Sequence, residues 1–159
     1  MNSLKTLLIL SLSMLVLISP APAISQNKVI PIDSSGIKAI MNGDGCPLLI
    51  VATAAWCAPC REELPILNRM YLKHKDRGLK LVAISLDIAA SDMQRIVDKL
   101  DIRFPVYWGG DKMAFEYSIF GVPTILVMKN GQVQERIIGK RSEKFIEEKI
   151  SHLVETCIP

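Results

Sequence analysis

A chain of 159 residues has room for one domain, and a hydrophobic share of 50 % can supply its core without disulfide staples. The net charge of +3 comes from dispersed Lys and Arg, not the clustered basic surface that nucleic acid requires, so no nucleic-acid partner is expected. Four cysteines are too few for a stapled miniprotein, and each therefore needs its own explanation.

Residues 1–23 read as a secretory signal peptide. Lys5 supplies the positive n-region, Leu7 to Ile18 the apolar h-region, and Ala21-Pro22-Ala23 the small-residue cleavage site. The competing reading is an uncleaved membrane anchor, but the apolar run falls short of the roughly 20 residues a spanning helix needs. No cysteine lies near the cut to take a lipid. The second unit is then a domain over residues 24–159, in an exported, periplasmic or otherwise extracytoplasmic setting. Disulfides persist there, and the domain keeps Cys46, Cys57, Cys60 and Cys157.

Along that domain, Val29 to Ile32 is a short strand and Ser34 to Met41 a short helix ended by Asn42-Gly43-Asp44-Gly45. Leu48 to Ala55 is a continuous apolar run, as in a strand covered on both faces. Cys57 opens a helix to about Arg77, with Glu62 and Glu63 near its start, a bend at Pro65 and a stop at Gly78. Leu79 to Leu86 is a second buried strand. Ser91 or Asp92 caps a helix whose apolar face is Met93, Ile96, Val97 and Leu100. Phe104 to Tyr107 is extended, and Lys112 to Ser118 is a helical turn or two. Thr124 to Lys129, Asn130-Gly131 and Gln132 to Ile137 form a hairpin on a type I′ turn. Ser142 caps a last helix with the stripe Ile146, Ile150, Leu153 and Cys157. This order predicts an α/β fold, a three-layer sandwich with a central mixed sheet and helices on both faces.

The stretch Trp56-Cys57-Ala58-Pro59-Cys60 carries the chemistry. Cys57 lies where a buried strand gives way to a helix, so unpaired backbone N–H groups and the helix dipole favour its thiolate. Its pKa is expected below the free value of about 8.5. Cys57 is the expected nucleophile. Cys60, three residues on, is the resolving thiol that attacks the mixed disulfide. Structural zinc usually needs four ligands. There is no second C-x-x-C, and His74 and His152 fall late in their helices, where solvated surface is the expected setting. No metal site and no cofactor beyond the Cys57–Cys60 disulfide are expected.

With these residues in view, the sequence resembles the thioredoxin superfamily, and within it the exported TlpA/ResA/DsbE-like thiol-disulfide oxidoreductases. The resemblance rests on Trp56-Cys57-Ala58-Pro59-Cys60 with Arg61-Glu62-Glu63-Leu64-Pro65, Leu81 to Asp87, Phe104-Pro105-Val106, and Tyr117 with Gly121-Val122-Pro123-Thr124. It spans roughly residues 46 to 150. It implies a thioredoxin-like sandwich in which Pro123 is cis and faces the disulfide, and Val122 offers backbone hydrogen bonds to a substrate strand. It also implies a functional carboxylate at Glu63. That residue shares a helix face with Cys60 and, if buried, could exchange a proton with it. Thioredoxins proper carry an aspartate on the preceding strand, where this chain has Val51. The family's Phe-Trp-Ala is here Ala52-Thr53-Ala54, which removes two rings near the site. Trp56 is retained as a lid over the disulfide region or a substrate contact.

Cys46 precedes the central strand and Cys157 ends the last helix. The thioredoxin-like topology would bring both to the pole opposite the active site. A structural Cys46–Cys157 disulfide is the expectation, with two separate thiols as its rival.

The implied function is reduction of disulfides in client proteins that bear thiols or disulfides, with cytochrome c maturation as one setting. A reductant of this kind needs a membrane electron donor. The alternatives are a disulfide oxidase or isomerase of the same fold, and a copper-binding metallochaperone, since thiolates suit Cu(I). A monomer is expected. Tyr107-Trp108-Gly109-Gly110 fits either an exposed aromatic patch or the core.

Overall fold

The computed structural model describes residues 27–41 and 46–157. The signal-peptide reading therefore lies outside the described residues, as does the Asn42–Gly45 turn. The elements in order are β1 (Ile30–Pro31), α1 (Ser34–Met41), β2 (Leu48–Thr53), α2 (Ala58–His74), β3 (Lys80–Ser85), α3 (Ala90–Leu100), β4 (Val106–Trp108), α4 (Gly110–Glu116), β5 (Thr124–Lys129), β6 (Gln132–Ile138) and α5 (Glu143–Glu155).

They build one sheet in the order β1-β4-β3-β2-β5-β6. β2 pairs parallel with β3 and antiparallel with β5, so the sheet is mixed. β2 has neighbours on both sides and helices above and below, and all of its residues are buried. That is why Leu48 to Thr53 shows no polar alternation.

Side chains alternate across the sheet and divide the core in two. On one face Leu49, Val51, Leu81, Ala83, Ile125 and Val127 meet α2, α3 and α5. On the other, Leu48, Ile50, Ala52, Val82, Ile84 and Leu126 meet Ile37 of α1 and Met113 of α4. β1 holds the outer edge with only two residues, one of them a proline, which an edge position tolerates. β6 forms the opposite edge. Its exposed residues are Gln132, Gln134 and Glu135 with the apolar Val133 and Ile138, and a register shift at Val127/Met128 distorts its pairing. That irregular pairing discourages a second chain from adding to the edge.

The hairpin turns through Asn130 and Gly131 with φ of 51° and 74°, as a type I′ turn requires. α2 runs on through Pro65 to His74. A 3-10 turn over Lys75–Arg77 follows and closes at Gly78 with φ 89°. α5 is capped by Ser142, whose Oγ accepts from the Phe145 N–H at 3.2 Å.

Three expectations are corrected. α3 begins at Ala90 with Ala89 at its N-cap and no side-chain capping bond; Asp92 instead pairs with Arg95 within the first turns. The buried stripe of α5 is Ile146, Ile150 and Val154, because the helix ends at Glu155 and leaves Cys157 half-buried beyond it. His74 is buried at 1 % exposure rather than solvated, and its Nε2 has no partner. Burial, with Arg77 and Lys73 nearby, pushes its imidazole below the ordinary histidine value. His152 is exposed. Of the aromatic pair whose setting was open, Tyr107 packs against the core face of α1 and α4, and the half-buried Trp108 packs against the opposite core.

Candidate active site

β2 ends at Thr53 and α2 begins at Ala58, so the intervening residues must turn the chain from sheet to helix. Cys57 is the N-cap of α2, with extended backbone at φ −81° and ψ 107°. Pro59 stands in the first turn, where a missing N–H costs nothing. The Cys60 N–H points at Cys57 Sγ from 3.2 Å. Helix start, capping sulfur and proline together put the reactive atom on the positive end of the helix.

Cys57 and Cys60 are bonded, with Cα atoms 5.3 Å apart. Both are buried, Cys57 at 5 % exposure and Cys60 at 1 %, so the outer sulfur is the one a partner reaches first. They form a small cluster with Ala54 and Val122. Cys57 Sγ lies 3.6 Å from the Val122 carbonyl oxygen. The Val122–Pro123 peptide is cis. Pro123 is buried and Val122 half-buried. The loop before β5 thus lies directly against the disulfide. Trp56 is 68 % exposed, more open than a lid closed over the disulfide would be.

Glu63 is buried at 1 % exposure on the α2 face that also buries Cys60. Its Oε1 accepts from the Arg141 N–H at 2.8 Å, while Oε2 is buried without a partner. Burial pushes the carboxyl above the ordinary glutamate value. The Arg141 N–H and the charges of Arg141 and Lys140 oppose that shift without cancelling it. Its neighbour Glu62 is exposed and pairs with Lys140. Only one of the two acids shares the cysteine face, as helical spacing requires.

Cys46 and Cys157 are bonded as well, with Cα atoms 4.9 Å apart. They lie before the start of β2 and after the end of α5, away from the α2 N-terminus. Cys157 Sγ packs against Gly78, where a Cβ would sit 3.3 Å from it. The described residues include no group of three or more His, Cys, Asp and Glu side chains placed to hold a metal ion.

One residue to which the sequence assigns no role belongs to this site. Asp87 is buried at 2 % exposure, and both of its carboxylate oxygens accept from the Ala55 N–H, at 3.0 and 2.9 Å. It closes the Leu81 to Asp87 stretch, but an acid after a strand carries no local signal of what it will meet. Thr53 is fully buried and its Oγ1 has no hydrogen-bond partner.

Comparison with known proteins agrees with this geometry. Thiol-disulfide oxidoreductase ResA from a strain of Bacillus cereus is 35 % identical over 94 residues, which are 58 % of this chain and 54 % of the relative. The chain therefore spans about half the length of the curated relatives it matches. Among solved structures, a chain from Chlorobium tepidum named as a thiol:disulfide interchange protein DsbE superposes with TM-score 0.66 at 25 % identity, covering 76 % of this chain and 89 % of that one. StoA from Bacillus subtilis superposes with TM-score 0.60 at 22 % identity, covering 67 % and 84 %, a likeness that speaks for the fold alone. The fold is thioredoxin-like. The sequence profile of the AhpC/TSA family matches residues 21–136, most of the chain, and the chain belongs to that family.

Proposed function

We propose that this chain is a thiol-disulfide oxidoreductase that works outside the cytoplasm and reduces disulfides in client proteins. The carrying observation is the Cys57–Cys60 disulfide at the N-terminus of α2, with Cys57 Sγ 3.6 Å from the Val122 carbonyl. The names of the ResA and DsbE relatives support the same reading.

In the reduced protein, the Cys57 thiolate attacks one sulfur of a client disulfide. A mixed disulfide forms and one client thiolate leaves. The Cys60 thiolate then attacks Cys57 Sγ, which releases the second client thiolate and leaves Cys57–Cys60 oxidised. Two electrons pass to the client. Glu63, with its raised pKa, keeps its proton to higher pH than an ordinary glutamate and gives or takes it as Cys60 changes state. Val122 offers backbone groups to an extended client segment beside Pro123, and the exposed Trp56 contacts its side chains. Regeneration requires two electrons from a donor, which for an exported protein means a membrane reductant. Cytochrome c apoproteins are a fitting client class. A monomer suffices for this cycle. The Cys46–Cys157 bridge takes no part in it and is structural.

The test is the reduction potential of Cys57/Cys60, equilibrated against a defined dithiothreitol or glutathione buffer. A value near about −270 mV supports a reductant, and one near about −120 mV means an oxidant and overturns the proposed direction.

A further inference from the structure

The nucleophile hangs from a short loop, residues 54–57, that belongs to neither β2 nor α2. Its backbone is held at three points. The Cys57 N–H donates to the Ala54 carbonyl at 3.1 Å. The Ala55 N–H donates to both oxygens of Asp87. The Arg61 guanidinium donates to the Ala55 carbonyl at 2.6 Å. The two peptide planes that meet at Ala55 are therefore gripped separately, one by an acid just after β3 and the other by a base in the first turn of α2.

Asp87 is itself held firmly. Its Oδ2 accepts from Ser85 Oγ at 2.7 Å, and its own N–H donates to Ser85 Oγ at 3.2 Å. Its carbonyl accepts from the Trp108 indole N–H at 2.8 Å. A buried carboxylate costs free energy that an apolar side chain would avoid, and only complete hydrogen bonding offsets that cost. Here the bonds that meet it come from Ser85, in the adjoining strand, and from the loop that carries Cys57. Asp87 thus ties the sheet to the nucleophile's backbone two residues before the sulfur.

We propose that Asp87 is a positioning residue for Cys57. It fixes Ala55 and so holds the Cys57 sulfur where the Cys60 N–H reaches it at 3.2 Å. This rests on the exchange reading above. In the reduced state that N–H and the end of α2 are what stabilise the thiolate; the dipole acts over the whole first turn, but the hydrogen bond is directional and weakens when the sulfur is misplaced. Alanine at position 87 removes the acceptor. Asparagine keeps one acceptor for the Ala55 N–H through Oδ1 and turns its amide toward Ser85 Oγ, so it preserves the tether without the charge.

The experiment compares wild type, Asp87→Ala and Asp87→Asn as the full chain. Each is reduced with limited dithiothreitol, and the iodoacetamide rate is followed against pH, with the modified cysteine identified by peptide mass. The expected result for Asp87→Ala is a rise of about one unit in the pH midpoint of Cys57, a tenfold loss of thiolate below that midpoint. Asp87→Asn should recover most of the shift. A midpoint for Asp87→Ala equal to wild type overturns the proposal. So does an equal displacement in both variants: an equal fall would report only the lost negative charge, and an equal rise would mean that the acceptor asparagine keeps does not hold the sulfur. If Asp87→Ala does not fold by circular dichroism, Asp87→Leu, which fills similar space without an acceptor for the Ala55 N–H, tests the same tether. That variant must raise the midpoint, and an unchanged value overturns the proposal. A wild-type Cys57 that titrates at about 8.5, like a free thiol, would instead sink the exchange reading and this proposal with it.

Discussion

Replacing Cys46 and Cys157 together with serine removes one covalent tie while leaving Cys57–Cys60 in place. The bridge joins positions 111 residues apart. A loop of that length restricts the unfolded chain by about 4.7 kcal/mol in the chain-entropy treatment. Domains of this size are stable by only about 5–15 kcal/mol, so the loss is a third of the total or more. The thermal midpoint should fall by on the order of 10–20 °C. The assay is urea unfolding followed by circular dichroism, with non-reduced and serine-substituted chains side by side. Because the tie acts on the unfolded ensemble, the serine chain should also show a steeper urea dependence, since its unfolded state exposes more surface. The Cys57–Cys60 pair closes only a single helical turn, and its reduction alone should cost much less. A serine chain within about 1 kcal/mol of the parent, with unchanged slope, would refute the loop argument.

Three further outcomes are expected. Cys60→Ser should trap mixed disulfides with client proteins, visible as adducts on non-reducing gels, whereas Cys57→Ser should form none; the reverse pattern would exchange the two roles. Burial raises the folded-state pKa of Glu63 above its ordinary value of 4.5. The folded chain then binds more protons than the unfolded one, so the Glu63 contribution is fully present below about 4.5 and is lost as pH rises through the raised folded value. Glu63→Gln should flatten the urea midpoint against pH in that window and change the pH profile of exchange; an unaltered slope would leave Glu63 without this role. Gly131 has φ 74° with open space around it. Gly131→Val should therefore cost about 1–2 kcal/mol through backbone strain alone, read from the urea midpoint, and a neutral effect would remove the type I′ assignment.

What could be read in advance followed from local causes. The C-x-x-C at a strand-to-helix junction, the Asn130-Gly131 turn and the Ser142 cap each specify their own backbone within a few residues. That Glu63 and not Glu62 turns to the Cys60 side was legible from helical spacing, whereas a role for it came from the family resemblance alone. Asp87 and His74 were not legible. Asp87 acquires its role from Ala55, 32 residues earlier, and no periodicity encodes that meeting. His74 reads as polar helix surface and is covered only once the chain folds. The start of α3 misled for a different reason. Ser91 and Asp92 are good capping residues, but the chain begins the helix at Ala90 and leaves Asp92 to pair with Arg95 instead.

The two disulfides bracket the central strand. Cys46 precedes β2 and Cys57 follows it, and the six residues of β2 set them about 20 Å apart. Thiol-disulfide exchange requires sulfur to touch sulfur. The folded chain therefore holds two insulated couples: under the proposed exchange, a thiolate formed at Cys57 has no reach to its own Cys46–Cys157 bond. Shuffling between the two couples is confined to unfolded chains, and in a folded copy the Cys46–Cys157 bond meets reactive sulfur only from another molecule.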